Sequence, residues 1–245
     1  MLEAEFGLMG LIVGLYLYDS ALLLYCNEGV LIPKGRAGWV VGFGSRKVQM
    51  LGKELFVPNP LLLHRPMFRL AWAFEGGGSA EQWAPRRNLF RSLAPLVWSM
   101  AVALFVLLPL GLFTRLGDGM LLLALGLLYL SLLASLLWLW FKRKVLNLSA
   151  RQLAALSFEC LVCAPFALNL VRGLSARMPV KEDLAHAARR LQAPDDWRLT
   201  RLALIARLDE EIECEEDGSE RQARLRDHRR TLAEEDTPCP PPKSS

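Results

Sequence analysis

Cys160 and Cys163 stand three residues apart, with Glu159 beside the first of them. On a helix this spacing places two thiols on one face, an arrangement that serves dithiol exchange or a soft metal such as Cu(I). A structural zinc site needs four ligands, and no second C-x-x-C or nearby histidine supplies the other two. The pair also sits within an apolar run rather than at a helix start, where the dipole would lower a thiol pKa. Packing as small hydrophobes is therefore the stronger reading. Asp19 and Glu159 are the remaining candidates, because a charge inside an apolar segment costs on the order of a few kcal/mol and needs a reason to be there. The bland reading gives Asp19 interfacial water or an arginine partner. The sharper one has Asp19 and Glu159 facing each other in a proton or cation path, which would require an oligomer.

Other chemistry is excluded by spacing. Residues 42–54 carry Gly42, Gly44, Gly52 and Lys53, but Lys47 occupies the position of the second P-loop glycine and Glu54 replaces the magnesium-binding hydroxyl, so these read as turn glycines. His64, His186 and His228 are isolated, and neither H-E-x-x-H nor G-x-S-x-G occurs. No cofactor or metal is expected, and the chain reads as non-enzymatic.

The elements that must position these residues are dominated by two uncharged, leucine-rich runs, residues 93–113 and 120–141, separated by six residues. Each has the roughly 20 residues an α-helix needs to cross hydrocarbon, so a transmembrane hairpin (93–141) is expected. Residues 6–25 read as a further span despite Asp19, within a first segment 1–25. Within the segment 142–180, residues 152–174 are ambiguous. They are apolar but contain Glu159, Pro165 and Asn169, and are read as a re-entrant or interfacial helix kinked at Pro165, with a fourth span as the alternative. Lys and Arg outnumber acids ten to four in residues 26–92, and Lys142-Arg143-Lys144 follows the hairpin. The positive-inside rule then places the amino terminus outside, and the loop and the carboxyl tail inside, a cytoplasmic (inner) membrane. All five cysteines are expected as free thiols.

Within 26–92, short runs at 30–33, 39–43, 48–51, 55–57 and 68–74 predict an antiparallel meander too small to bury a core alone, followed by a glycine-rich tether at 76–79. Residues 181–236 read as charged helices, with an apolar stripe Leu199, Leu202, Ile205, Leu208 and Ile212, and an acidic segment turned back by Gly218 onto a basic one; 237–245 reads as a disordered proline-rich tail. The expected fold class is thus mainly α, a polytopic helical membrane protein of three spans, or four, with a small β-rich cytoplasmic loop module and a helical cytoplasmic tail. The expected function is a scaffold or accessory subunit of a membrane complex. The expected partners are membrane lipid and another protein or a second copy, not nucleic acid. The alternatives are a thiol- or metal-dependent protein using Cys160 and Cys163, and a subunit of an oligomeric transporter.

Overall fold

The computed structural model describes residues 2–35, 38–72, 83–115, 117–146, 148–178 and 180–234. The tether at 76–79, the tail at 237–245 and Cys239 lie outside these residues.

The chain opens with α1 (Leu2–Ser20). Its uncharged stretch, residues 6–18, is about 20 Å long at 1.5 Å per residue, short of the ~30 Å of hydrocarbon it was expected to cross. Glu3 and Glu5 close one end and Asp19 the other, so the first span is a correction. Residues 22–24, read as the end of that span, instead form a strand. Without the span, the amino terminus loses the sidedness expected from it.

Six strands follow: β1 (Leu22–Leu24), β2 (Glu28–Lys34), β3 (Gly38–Gly42), β4 (Ser45–Met50), β5 (Lys53–Phe56) and β6 (Phe68–Ala71). They form two three-stranded antiparallel sheets, ordered β1-β5-β4 and β3-β2-β6, rather than one meander. The period-2 alternation of β2 explains the split, since one strand has two faces to cover. Val30 and Ile32 join Leu22, Leu24, Phe56 and Met67 in a small cluster with the first sheet, while Leu31 belongs to the main core. Gly42, the last residue of β3, has no room for a side chain, because the Phe56 ring of the other sheet lies 2.6 Å from where its Cβ would be.

Next come α2 (Trp83–Arg91), α3 (Ala94–Val102), a π-helical turn (Ala103–Leu107) and α4 (Leu108–Phe113). The π turn precedes Pro109, which has no N–H to offer the Phe105 carbonyl; the ladder widens there, with the Leu108 N–H reaching Ala103. A short turn leads into α5 (Gly117–Lys142). Gly111 sets the closeness of the return, because a Cβ there would lie 2.7 Å from Leu121 Cδ2 and 3.1 Å from its backbone nitrogen. Further along, the Ser99 and Ser131 hydroxyls meet at 2.7 Å, and Ser135 donates to the Ser131 carbonyl, so the small-residue step of α5 seats α3.

Among the described residues, 83–113 and 117–142 are the two helical segments long and apolar enough to cross a membrane. The 152–174 region is not a further one. It breaks into α6 (Ala150–Val162), α7 (Ala164–Ala167) and α8 (Leu170–Ala176), with Cys163 leaving helical geometry ahead of Pro165 and Asn169 separating the last two. At 13 residues α6 is about 20 Å long. The polytopic three- or four-span class is therefore overturned: two apolar helices remain, carrying a β module and a helical tail.

The tail comprises α9 (Leu184–Leu191), α10 (Pro194–Cys214) and α11 (Glu220–Glu234). Asp183 caps α9 by accepting from the Ala185 and His186 N–H groups. The stripe expected on α10 is not one face: Leu204 and Leu208 are buried, whereas Leu199 and Leu202 face outward. The acidic end of α10 and the basic α11 fold back on each other, bridged by Arg229 to Asp209 and by Arg221 to Glu215 at 3.3 Å. The module does not stand alone. Trp39 and Phe68 pack on Trp83 at 5.6 and 5.2 Å between ring centres, Phe68 also meets Phe90, and Leu184, Leu204 and Leu208 share that core.

Candidate functional site

The end of α1 meets α6, α7 and α8, and there the fold gathers three of the four candidate residues. Asp19 is half-buried, Cys160 is 1% exposed, and the more exposed Glu159 pairs with Arg177 at 3.5 Å. Asn169 hydrogen-bonds Asp19 and donates to the Tyr16 carbonyl at 3.0 Å. Burial raises the Asp19 pKa above the ordinary carboxylate value; Asn169 and Arg177 draw it back, and Glu159 pushes it further up. Cys163, half-buried, caps the end of α6.

Cys160 is pushed up to about 12 by burial, reinforced by the charges of Asp19 and Glu159. A thiol so placed keeps its proton at neutral pH and is a poor nucleophile. Cys26, Cys160, Cys163 and Cys214 are unbonded to one another. Among the described residues, no three His, Cys, Asp or Glu side chains converge as metal ligands would. Asp19 and Glu159 do share one electrostatic neighbourhood, at a single end of α1.

Beside this cluster lies Arg172, 2% exposed. Its guanidinium donates to the Asn59 carbonyl at 2.6 Å, to the Tyr16 hydroxyl at 3.3 Å and to Asn169 Oδ1 at 3.4 Å, while the Tyr16 hydroxyl donates to the Pro60 carbonyl. Arg172 thus ties α1, α8 and the loop after β5 together. Arg172 also lines a cavity of about 320 Å³ whose walls include Ile32, Val40, Phe56 and Met67.

Two further buried charges escaped sequence reasoning. Glu54, 6% exposed, accepts two hydrogen bonds from Arg207 of α10, which also donates to the Gly44 carbonyl at 2.8 Å and stacks 4.8 Å from the Phe43 ring centre. Glu182 lies ahead of α9 with its side chain enclosed. It accepts from Trp83 Nε1 at 2.8 Å and from Arg190 at 3.0 Å. The only available signal was the presence of acids in otherwise apolar or basic neighbourhoods.

No family model, curated protein or solved structure matches this chain.

Proposed function

We propose that the chain is a non-enzymatic, membrane-anchored scaffold or accessory subunit of a cytoplasmic-membrane complex, held by the hairpin of α3, α4 and α5. The observation that carries this reading is the exposed flank of the hairpin. Leu122, Leu130, Leu137 and Phe141 are 71%, 69%, 57% and 74% exposed, opposite a buried stripe of Ala124, Leu128, Ser131, Leu132, Ser135 and Leu139. Only 33% and 28% of the most apolar windows of the two helices are buried, whereas a soluble core helix is mostly enclosed. An uncharged face of this length is too large for a monomer to leave in water. The charge distribution favours the module and tail on the cytoplasmic side and the turn ahead of Asp118 on the other.

A non-enzymatic role is supported by how the buried ionisable groups are used, since Glu54, Glu182 and Arg172 are each engaged in joining elements. A partner has a surface to hold. On the edge strand β4 and its turn, Val48, Met50 and Leu51 are 49%, 57% and 92% exposed, and Leu51 carries a positive φ of 53°. A leucine so strained and so exposed points to a role in recognition.

The test uses native Cys214, which is exposed on the tail, and an Asp118→Cys variant at the start of α5. The chain should sediment with membranes, resist carbonate extraction and, in intact cells, react with an impermeant maleimide at residue 118 but not at Cys214. In mild detergent it should elute as a complex larger than its 27.5 kDa monomer. Recovery in the soluble fraction, or a lone monomer, would end the reading.

A further inference from the structure

Four residues of the α2–α3 segment lie on one helical face, Arg87, Arg91, Ala94 and Trp98, and they look onto His64 and Arg65 across a cavity of about 380 Å³. We propose that this cavity binds a phosphate-bearing anion, either the headgroup of an anionic phospholipid or a soluble phosphate ester.

Among the described residues, three arginines line the site and no carboxylate does. Arg87 and Arg91 are four residues apart on a helix, a spacing at which like charges repel unless something negative lies between them. Two of the guanidinium groups are fixed in place while keeping further N–H groups to offer. Arg87 donates to the Gly35 carbonyl at 2.6 Å and Arg65 to the Pro33 carbonyl at 3.3 Å. Such forks match phosphate oxygens in pairs. His64 lines the same cavity, and its Nδ1 is buried with no hydrogen-bond partner among the described residues.

The cavity also lies where charge gives way to hydrocarbon-like sequence. Arg91 ends α2, the uncharged run starts at Leu93, and Trp98 is 44% exposed with its ring 5.8 Å from that of His64. A phospholipid phosphate held by the arginines would have its glycerol beside Trp98 and its chains along the exposed Val102 and Val106. The soluble-ester alternative needs no bilayer, so the site stands or falls separately from the anchoring reading.

The full chain in detergent, labelled with ¹⁵N-histidine and with the His64 resonance assigned through His64→Gln, is titrated with three probes. These are short-chain phosphatidylglycerol, short-chain phosphatidylcholine and inorganic phosphate. The expected result is a saturable shift of the His64 signal with an anionic probe and a rise of its pKa on binding. Arg91→Gln should weaken this by about tenfold or more, the scale of one charge-assisted hydrogen bond. Arg91 is exposed, so an unchanged melting temperature separates lost binding from lost fold. Tighter binding of phosphatidylglycerol than of phosphate supports the site and assigns it to lipid, and comparable binding supports the site and assigns it to a soluble ester. No His64 shift with either, equal binding of phosphatidylcholine, or indifference to Arg91→Gln overturns the proposal.

Discussion

Glu54 on β5 and Arg207 on α10 are 153 positions apart, yet they form a buried ion pair, with Arg207 Nη1 at 2.9 and 2.7 Å from the two carboxylate oxygens. Their side chains are only 8% and 7% exposed, so neither has water to fall back on. Replacing Arg207 with leucine strands the carboxylate and should lower stability by about 3–5 kcal/mol. The double variant Glu54→Leu/Arg207→Leu should recover much of that loss, because the desolvation cost disappears with the charges. Denaturant unfolding followed by tryptophan fluorescence measures both, and equal loss in the single and double variants would contradict the account.

Gly111 is expected to govern the tightness of the hairpin. A valine there must push Leu121 and its backbone aside, costing about 1–3 kcal/mol as overpacking usually does. Gly126, on the same hairpin, has open space around it and serves as the control, with Gly126→Val harmless by comparison. A thermal shift measured in detergent that ranks the two variants the other way would refute this contact.

Cys160 should be silent to alkylation. With its pKa at about 12, only about one thiol in ten thousand is ionised at pH 8, and burial blocks approach as well. Mass spectrometry after a timed iodoacetamide pulse should find Cys214 modified and Cys160 intact. Reaction of the two at similar rates would return Cys160 to consideration as a reactive thiol.

His64 predicts an acid sensitivity. Burial and then the positive charges of Arg65 and Arg172 lower its pKa from 6.5. The unfolded chain therefore takes up a proton near pH 6.5 that the folded chain refuses until the pH is lower. Stability should fall as pH drops from 6.5 to the folded value, and this contribution should be constant outside that window. In anion-free buffer, His64→Gln should flatten that part of the melting-temperature profile; an unaltered slope would locate the sensitivity elsewhere.

Leu51 and Gly52 close the β4–β5 hairpin with φ of 53° and 73°. A turn with two left-handed residues favours Asn-Gly. Leu51→Asn should raise stability by about 1 kcal/mol, within the usual cost of a non-glycine left-handed residue, while weakening complex formation if that leucine serves a partner. Unchanged stability and unchanged assembly together would leave the strain at this turn without a role.

Much of the secondary structure was legible because it is written locally. The two leucine-rich runs, the turn at Gly218 and five of the six strands follow from periodicity and turn residues. Leu22–Leu24 escaped because a short apolar run fits a helix end or a strand equally well, and its pairing with β5 is decided some thirty residues away. The segment around Pro165 was read as one kinked helix. Its breaks at Cys163 and Asn169 accompany the bonds of Asn169 to Tyr16 and Asp19, some 150 residues away, which no local pattern encodes. Asp19, Glu159 and Cys160 stood out as ionisable or reactive groups in apolar sequence, and the fold gathers them. Arg172, Glu54 and Glu182 did not stand out, since their partners Asn59, Arg207 and Trp83 lie roughly a hundred or more residues distant.

The reliance of the strands on α9 and α10 has a consequence for biosynthesis. The ribosome delivers β1 to β6 early, but Leu184, which covers Gly29, and Arg207, which neutralises Glu54, arrive only after the hydrophobic hairpin has been translated. The nascent chain must therefore carry an unfinished sheet through the period in which its greasy helices leave the exit tunnel. A stop codon placed between Arg177 and Leu184 would give a product that lacks both contacts, and quality-control proteases would meet it as a permanently immature intermediate.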